Sequence, residues 1–538
     1  MHASLAPWCL LAGVKSYCEN HMDAKVFEST INSDIDSFAE KIIKEQPDVV
    51  SFCTYIWNVT KTLELCKKIK NRTNAKIVLG GPEVAYRSKE VLEDYDFVDY
   101  VLSGEGEESF PMLLDGIACE NVSNVDGLTY RAEKIIANPE KEYTGTPVSP
   151  YTEEFFDSLN GRICYIETSR GCPYRCAFCL SGRCSSLRFF EMDRVKEDIL
   201  KLSKSGTQTV KFVDRTFNAN SKRANEIFEF IISKYGKSIP DSVCFHFEIA
   251  GDILTEETLN ILSKAPKGAI QLEIGMQSFN EETLKSINRK TNTQKLIKNI
   301  KKLVSFKNMH IHIDLIAGLV GEDIKSFEDS FNIGYSLKAQ MLQMGFLKLL
   351  YGAEMREKPE KFPCKFSSEP PYEVTSTPWL TSEEIKSLKK CEDALERLYN
   401  SGRFLFTLDY LIKECGYTPF NLFMEFGNAI DGTNMTLSNY AKMVYDYFSD
   451  KVDKEILREK ILCDLLSSSY SAPIPSQFKI QDSLYKKVKK YFIEKLKGQT
   501  KIAILYSQNT VYVVNEFDEK DLQGRIVGKF YDLSTILE

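Results

Sequence analysis

Short apolar runs alternate with segments of helical periodicity in two stretches of the chain, the pattern of a parallel sheet covered by helices. In residues 1–140 this pattern predicts strands at 49–52, 77–80 and 98–101, and helices at 35–45, 59–71, 88–93 and 108–118. In residues 163–351 it predicts strands at 163–167, 209–213, 244–248, 270–274, 311–316 and 342–346, with amphipathic helices between them. Six strands with intervening helices are typical of a partial (β/α)6 barrel.

Other parts of the chain lack this alternation. Residues 122–157 show little periodicity apart from a hairpin-like element at 126–130, which predicts a linker. Residues 380–497 have mainly helical patterns, and 502–506 and 511–514 flank a turn as a β-hairpin. We therefore expect an α/β protein with an α/β domain at 1–121, a linker at 122–157, a barrel at 158–352, and a mainly helical C-terminal domain at 353–538 that ends in a β-hairpin.

Composition narrows the class of protein. The 538 residues are 43% hydrophobic and 27% charged, as in soluble globular proteins with several domains. A net charge of −7 argues against a large phosphate-binding surface, so we expect a small-molecule or peptide substrate and no nucleic acid partner. No uncharged apolar run is long enough to predict a membrane span. Fifteen cysteines without a secretory signal indicate reduced thiols in the cytoplasm.

The strongest chemical signal is a run of three cysteines, Cys172, Cys176 and Cys179, spaced C-x3-C-x2-C directly after the first predicted barrel strand. Clusters of the [4Fe-4S] type are usually held by four cysteine thiolates, so three on one loop leave one iron open to a non-protein ligand. A structural zinc site is the alternative, with Cys184 or His246 as its fourth ligand.

With its flanks Ser169-Arg170-Gly171 and Pro173-Tyr174-Arg175, this loop resembles that of the radical S-adenosylmethionine (SAM) enzymes. The resemblance implies that the three cysteines hold a [4Fe-4S] cluster whose open iron chelates SAM, and that Phe178 packs near the adenine. It also implies an electron donor such as flavodoxin or ferredoxin, reductive cleavage of SAM, and a 5′-deoxyadenosyl radical that abstracts a substrate hydrogen. Further SAM contacts are expected at the carboxyl ends of the barrel strands, namely at Asp214, Asn218, Glu248, Glu273, Gln277, Ser278 and Gly318.

Polar and glycine residues also follow the strands of the first domain, where ligands bind in open α/β sheets. An ordinary turn explains each glycine separately, but glycines also allow backbone to approach a ligand. These stretches resemble the Rossmann-like cobalamin-binding domain that precedes the barrel in a class B methylase-like subgroup of radical SAM enzymes. The cobalamin contacts that this resemblance implies are Tyr55, Trp57, Gly80, Gly81, Glu83, Gly104, Glu105 and Gly106.

Two departures qualify the cobalamin prediction. The D-x-H-x-x-G motif is absent and neither His2 nor His21 stands in that context, so cobalamin is expected to lack a histidine ligand. Members of the subgroup also have an apolar strand before a segment resembling residues 2–6, and we expect this strand to be missing here. Its loss would expose a sheet position and weaken the floor of the cobalamin site.

The resemblance implies a radical SAM enzyme that methylates or rearranges its substrate. Such an enzyme is a metal-binding protein and, where it methylates, a transferase. Two alternatives stay open: a radical SAM enzyme that has lost cobalamin, and a non-catalytic iron-sulfur or zinc protein that senses redox state or scaffolds partners. A methylthiotransferase fits less well, because Cys9, Cys18, Cys53, Cys66 and Cys119 have no cluster-like context. The C-terminal domain resembles one that accompanies this subgroup, and no motif in it names a chemistry.

Overall fold

The computed structural model describes residues 2–20, 22–183, 186–430, 435–468, 473–479, 482–496 and 498–537. Cys184, considered above as a zinc ligand, and His21 lie outside the described residues. No helix within the described ranges is long and apolar enough to cross a membrane.

The N-terminal region is built on a five-stranded sheet with the order β1-β2-β3-β4-β5. The first three strands are parallel, and the last two add as antiparallel strands beyond β3. The sheet forms because apolar strand residues pack against helices on both faces, in two separate apolar clusters. Its elements are α1 (Ala6–Tyr17), α2 (Ile35–Lys44), β1 (Val49–Cys53), α3 (Val59–Lys70), β2 (Lys76–Gly80), α4 (Pro82–Ala85), α5 (Ser88–Asp94), β3 (Tyr100–Leu102), α6 (Gly106–Ala118), β4 (Leu128–Arg131) and β5 (Ile135–Ala137).

Two features of this sheet bear on the predictions. Strands β4 and β5 fall inside the predicted linker, so the boundary expected at residue 121 precedes two strands of the first sheet. At the other edge lies β1, and the segment before α1 pairs elsewhere: His2 makes a single parallel bridge with Ile163, beside the first barrel strand.

The central region is a six-stranded sheet with the order β13-β12-β11-β10-β9-β6, in which every pair is parallel. This arrangement confirms the predicted α/β class and partial barrel. The elements are α7 (Glu153–Leu159), β6 (Cys164–Ile166), β7 (Ser169–Arg170), β8 (Arg188–Phe189), α8 (Met192–Ser203), β9 (Thr209–Phe212), α9 (Ser221–Lys234), β10 (Cys244–Ile249), α10 (Glu256–Leu262), β11 (Ile270–Gln277), α11 (Glu281–Ser286), α12 (Thr293–Phe306), β12 (His310–Ala317), α13 (Ile324–Ser336) and β13 (Met341–Phe346).

Burial alternates along the barrel strands, as the two faces of a strand require. In β11 the apolar residues Ile270, Leu272 and Ile274 are buried, whereas Glu273 and Gln277 on the other face are partly exposed. Polar side chains from β9 and β11 touch each other across the intervening β10. Such contacts are possible only on a concave face, so the polar residues line the inside of the barrel.

The C-terminal region is mainly helical and ends in a three-stranded antiparallel sheet, one strand more than the predicted hairpin. Most of its helices share one continuous apolar core with the barrel. Its elements are α14 (Glu354–Glu357), β14 (Lys365–Phe366), β15 (Val374–Ser376), α15 (Ser382–Leu395), α16 (Leu405–Lys413), α17 (Pro419–Ala429), α18 (Leu437–Phe448), α19 (Lys454–Ser468), α20 (Ser483–Lys495), β16 (Thr500–Leu505), β17 (Thr510–Asn515), β18 (Lys529–Asp532) and α21 (Leu533–Leu537).

Candidate functional site

The three cysteines lie on the loop that follows β6 at the carboxyl end of the barrel. The short strand β7 precedes them and pairs with β8, which fixes the start of the loop. Gly171 has φ 95°, and a Cβ there would lie 2.1 Å from the carbonyl oxygen of Ser186, so glycine is required at this turn. Cys176 is buried, and Cys172 and Cys179 are half-buried.

The number of thiolates on the loop bears on which metal it can hold. A structural zinc site is closed by four protein ligands. The loop offers three thiolates, and Cys184, the nearest further cysteine, lies outside the described residues. Three thiolates suit a [4Fe-4S] cluster whose fourth iron takes a non-protein ligand.

The carboxylate of Asp214 holds the residues that lead into the cysteine loop. One of its carboxylate oxygens accepts hydrogen bonds from the hydroxyls of Thr168 and Ser169, at 2.7 and 2.5 Å, and the other accepts from the Thr168 N–H at 3.1 Å. Burial raises the pKa of Asp214 to about 6, against the lowering effect of these hydrogen bonds. The side chain therefore has three hydrogen bonds inside the protein, and its contact with SAM stays a prediction.

Asn218 is also occupied within the fold. Its amide donates to the carbonyl of Ala250 at 2.8 Å and its oxygen accepts from the Ala250 N–H at 2.9 Å. This pair of bonds ties the loop after β9 to the end of β10. Asn218 shapes the rim, and only 3% of the residue is exposed.

Glu248 and Glu273 lie inside the barrel and share a cation. The Lys211 ammonium lies 3.4 Å from Glu248 and 3.2 Å from Glu273, and His246 Nε2 lies 2.8 Å from Glu273. Burial alone would raise the pKa of Glu273, but the contacts with His246 and Lys211 lower it to about 2. Glu273 is thus ionised and paired.

The same interior contains His312 and Asp314, whose Nε2 and Oδ1 atoms lie 2.9 Å apart without hydrogen-bond geometry. Together with Glu273 they form a described group of three potential ligands within 4.8 Å. Lys211 supplies positive charge to this group from 3.2 Å. We interpret the cluster as a polar lining of the barrel interior.

Gln277 and Ser278, both predicted SAM contacts, stand at the end of β11. Gln277 has φ 69°, an unusual conformation for a residue with a side chain, and it follows an irregularity in the pairing of β11 with β12. Such backbone strain is typical of functional sites. Ser278 is buried and donates to Glu322 at 2.5 Å. Burial raises the pKa of Glu322 to about 7.

Two residues near the cysteines carried no recognisable sequence signal. Arg289 Nη1 lies 3.8 Å from the sulfur of Cys176, and its Nη2 donates to the Gly275 carbonyl. The Thr216 hydroxyl lies 3.4 Å from the sulfur of Cys172. Burial raises the pKa of Cys176, and Arg289 opposes that rise. Arg289 therefore brings positive charge to the sulfur, 113 residues away in sequence.

The predicted adenine contacts have different surroundings. Phe178 is partly buried and packs against the main core beside the cysteines. At Gly318, φ is 92°, and a Cβ would lie 2.7 Å from Val374 of β15. The glycine thus makes room for the Val374 side chain, and its contact with SAM stays a prediction.

Aromatic residues mark the carboxyl end of β1. The rings of Tyr55 and Trp57 stack in parallel with centroids 4.5 Å apart, and Trp57 is 63% exposed. Asn58 fixes their turn by accepting from the Tyr55 N–H at 2.7 Å and donating to the Cys53 carbonyl at 3.0 Å. Burial raises the pKa of Tyr55, and its charged neighbours include Arg215 on the barrel rim. The stacked pair therefore lies close to the barrel rim.

The glycines predicted to contact cobalamin serve close packing within the chain. A Cβ at Gly81 would lie 2.4 Å from the Thr54 carbonyl oxygen, and one at Gly106 would lie 2.5 Å from Leu10. Gly80 approaches the Leu102 backbone and Gly104 the Glu140 side chain. Glu83 is buried and accepts a hydrogen bond from Tyr372.

An ion-pair network, hereafter the Arg170 network, joins the first sheet to the cysteine loop. The Arg170 guanidinium donates to Glu105 and Glu107 at the start of α6 and to Glu167 at the end of β6. Arg188, opposite Arg170 in the β7–β8 pair, donates to Glu105 at 2.6 Å. Glu105, a predicted cobalamin contact, is therefore paired with two arginines beside the cysteine loop.

Three family models match the chain one after another. The B12 binding domain matches residues 10–114, the Radical SAM superfamily matches residues 166–333, and a protein of unknown function, DUF4080, matches residues 360–521. The first model covers the sheet that carries Tyr55 and Glu105, and the second covers the cysteine loop.

Curated relatives match about half of the chain. The cobalamin-dependent radical SAM methyltransferase TokK of Streptomyces tokunonensis is 29% identical over 316 residues, which cover 55% of this chain and 45% of the relative. Hopanoid C-3 methylase of Methylococcus capsulatus is 25% identical over 295 residues, with 51% of this chain and 53% of the relative covered. The chain thus spans about half the length of the curated relatives it matches.

Solved structures share the fold. The radical SAM methyltransferase TsrM from Kitasatospora setae, with cobalamin and a [4Fe-4S] cluster bound, has a TM-score of 0.56 at 15% identity and covers 66% of this chain and 72% of its own. The cobalamin-dependent radical enzyme OxsB, with aqua-cobalamin and SAM bound, has a TM-score of 0.55 at 16% identity, with 87% and 73% covered. At these identities the likeness concerns the fold alone.

Proposed function

We propose that the chain is a radical SAM enzyme that uses both a [4Fe-4S] cluster with SAM and cobalamin, because the models of the B12 binding domain and the Radical SAM superfamily match residues 10–114 and 166–333. It would bind a [4Fe-4S] cluster at Cys172, Cys176 and Cys179, SAM at the barrel rim, and cobalamin above it. The reaction proposed is methylation or radical rearrangement of a small-molecule or peptide substrate.

One observation carries this proposal: the loop with the three cysteines is tied directly to the B12-binding domain. In the Arg170 network, Glu105 and Glu107 of that domain accept hydrogen bonds from Arg170, which precedes the first cysteine, Cys172, by two residues. Chemistry that needs two cofactors requires their sites to be held at a fixed separation. The network supports that arrangement.

The residues present fit the proposed cofactors. The loop offers three thiolates, which can bind three irons of a [4Fe-4S] cluster and leave the fourth iron open to SAM. The parallel rings of the half-buried Tyr55 and the exposed Trp57 offer a flat surface of the kind that suits a planar corrin. When bound, the cluster supplies an electron for cleaving SAM and cobalamin supplies a methyl carrier.

The side chains of this protein then act as binders and supports. Asp214 holds Thr168 and Ser169, which set the course of the cysteine loop. Arg289 donates toward the Cys176 sulfur, and hydrogen bonds of this kind tune cluster potentials. Gln277, in its strained conformation at the end of β11, is the strongest remaining SAM contact among the predicted residues.

The names of the relatives support methyl transfer as the first choice and ring formation as the second. They include two methyltransferases of small molecules, a hopanoid methylase, and an anaerobic magnesium-protoporphyrin IX monomethyl ester cyclase of Cereibacter sphaeroides. TsrM has been solved with its tryptophan substrate. A small flavodoxin or ferredoxin is the expected electron donor.

The cobalamin half of the proposal is tested by adding hydroxocobalamin to the cluster-loaded protein, removing the excess by gel filtration, and recording the visible spectrum. We expect about one corrinoid to stay bound for each chain. Absence of retained corrinoid would exclude the cobalamin-dependent reaction and leave a radical SAM enzyme without cobalamin. Loss of both corrinoid and SAM cleavage would favour the non-catalytic alternative.

A further inference from the structure

A segment that follows the last barrel strand crosses the mouth of the barrel and contacts both halves of the proposed site. We call residues 347–376 the strap. It contains α14, β14 and β15, and its last part opens the DUF4080 region, which matches residues 360–521. The DUF4080 match names no function, so the contacts of the strap are the best guide to what this part of the region does.

The strap reaches the B12-binding domain through one deeply buried contact. The Tyr372 hydroxyl donates to Glu83 on α4, the short helix that follows β2. Tyr372 is 3% exposed and Glu83 is 4% exposed. A buried carboxylate that loses its hydrogen-bond donor carries the full cost of desolvation, so this contact is a strong constraint on α4.

Tyr372 is held in a conformation that a tyrosine rarely adopts. Its φ is 55°, and such strain persists only where the surroundings enforce it. Its N–H donates to the Glu369 carbonyl at 2.9 Å, and its carbonyl accepts from the Leu349 N–H at 3.0 Å. The Arg356 guanidinium lies 4.7 Å from its ring centroid. The strap thus presents the phenol in one fixed position.

Further contacts extend along the same edge of the B12-binding domain. Gly352 packs so closely on Tyr86 that a Cβ would lie 2.4 Å from its ring. The Arg87 guanidinium lies 4.5 Å from the centre of the Tyr351 ring. Tyr86 and Arg87 directly follow α4, so the strap covers this whole turn.

The strap also touches the cysteine loop and the barrel rim. The Met355 N–H donates to the Ala177 carbonyl at 3.0 Å, between two of the cysteines. Arg183, just beyond the cysteines, forms an ion pair with Glu357. Val374 fills the space left open at Gly318. One segment therefore contacts the cysteine loop, the barrel rim and the B12-binding domain.

We propose that the strap, including the start of the DUF4080 region, fixes the turn at residues 80–87 over the barrel mouth, with Tyr372 as a positioning residue for the cobalamin site. This inference rests on the proposed function for its cobalamin part. The family model of the DUF4080 region names no function, and this inference gives the start of that region a structural role at the proposed site. It also explains why Glu83 is buried against Tyr372 and is not open to a ligand.

The test uses the full-length, cluster-loaded protein and compares Tyr372→Phe and Glu83→Gln with Tyr351→Phe. The first two changes remove or weaken the buried hydrogen bond with little change in shape. Tyr351 is the matched control because its contacts with Arg87 and Arg356 involve its ring, which phenylalanine keeps. Hydrogen exchange of peptides covering residues 80–87 is measured without cobalamin, and retention of hydroxocobalamin is measured separately.

We expect at least tenfold faster exchange at residues 80–87 in Tyr372→Phe and Glu83→Gln, and wild-type exchange in Tyr351→Phe. The double variant should exchange no faster than the single ones, because both changes break the same contact. Hydroxocobalamin should bind at least fivefold more weakly to Tyr372→Phe. Wild-type exchange in both variants would overturn the inference. If the wild-type protein binds no corrinoid, the proposed function fails in its cobalamin half, while the exchange result still decides the role of the strap.

Discussion

Replacing Glu107 by glutamine tests whether the B12-binding domain supports the cysteine loop. Glu107 accepts from both terminal nitrogens of Arg170, one of them at 3.2 Å, and its side chain is 9% exposed. The substitution removes a negative charge from the B12-binding domain, and we expect it to increase local opening of the cysteine loop in the barrel. Glu108→Gln is the matched control, because that side chain is 43% exposed and the ammonium of Lys141, with which it pairs, is 3.9 Å away.

The expected magnitude follows from the contacts that remain. A hydrogen bond to a charged group contributes about 1.5–3 kcal/mol. Glutamine keeps one acceptor, and Glu105 and Glu167 still hold the guanidinium, so we expect a loss of about 1.5–2 kcal/mol. Every 1.4 kcal/mol is a factor of ten in an equilibrium, so local opening of the loop should increase by about 10- to 30-fold.

The assay is hydrogen exchange at residues 168–176. Burial raises the pKa of Glu107, but its contacts with Arg170 lower it more, and the net pKa is below its ordinary value. The contact therefore stabilises the loop above the unfolded-state pKa of about 4.3 and is lost as pH falls through the lower folded-state value. Unchanged exchange in Glu107→Gln at pH 7, or equal acceleration in Glu108→Gln, would refute the proposed support.

Three further predictions concern the barrel. Asp214→Asn should lower the iron content of the reconstituted protein without changing hydroxocobalamin binding, since it removes an acceptor beneath the cysteine loop; equal iron contents would contradict this role. Arg289→Met should make the cluster potential more negative in an EPR-monitored titration, because it removes a donor and a positive charge beside Cys176. Burial raises the pKa of Glu322 to about 7, so the wild-type melting temperature should fall as pH rises from the unfolded-state pKa of about 4.3 to 7, with a cost of up to about 3 kcal/mol, and should level off above that pH. Glu322→Gln should remove that fall, and the exposed control Glu282→Gln should keep it.

The order of strands and helices was predictable because it depends on local patterns. The strand at Ile270–Gln277 buries every second residue, and this period of two is visible in the sequence. The cysteine spacing was equally visible, since all three residues lie on one short loop. The third strand of the C-terminal sheet, Lys529–Asp532, was missed because three of its four residues are exposed, the fourth is partly exposed, and it has no apolar alternation.

The partners of the polar residues were not predictable, because they come from distant parts of the chain. Asp214 accepts hydrogen bonds from Thr168 and Ser169, and Glu105 accepts from two arginines, whereas the sequence suggested only that both residues lie near a ligand. A strand-end position shows that a side chain is near the rim and not which neighbour it meets. The contact between Tyr372 and Glu83 spans 289 residues and has no local signature.

The central claim is that the three cysteines hold a cluster that cleaves SAM. The most direct measurement is the formation of 5′-deoxyadenosine by the anaerobically reconstituted protein with SAM and dithionite, compared in the wild type, Cys176→Ala, and the exposed control Cys119→Ala. We predict product from the wild type and from Cys119→Ala, and neither cluster nor product from Cys176→Ala. A wild-type protein that carries a full cluster and forms no 5′-deoxyadenosine, or a Cys176→Ala variant that still forms it, would contradict the account.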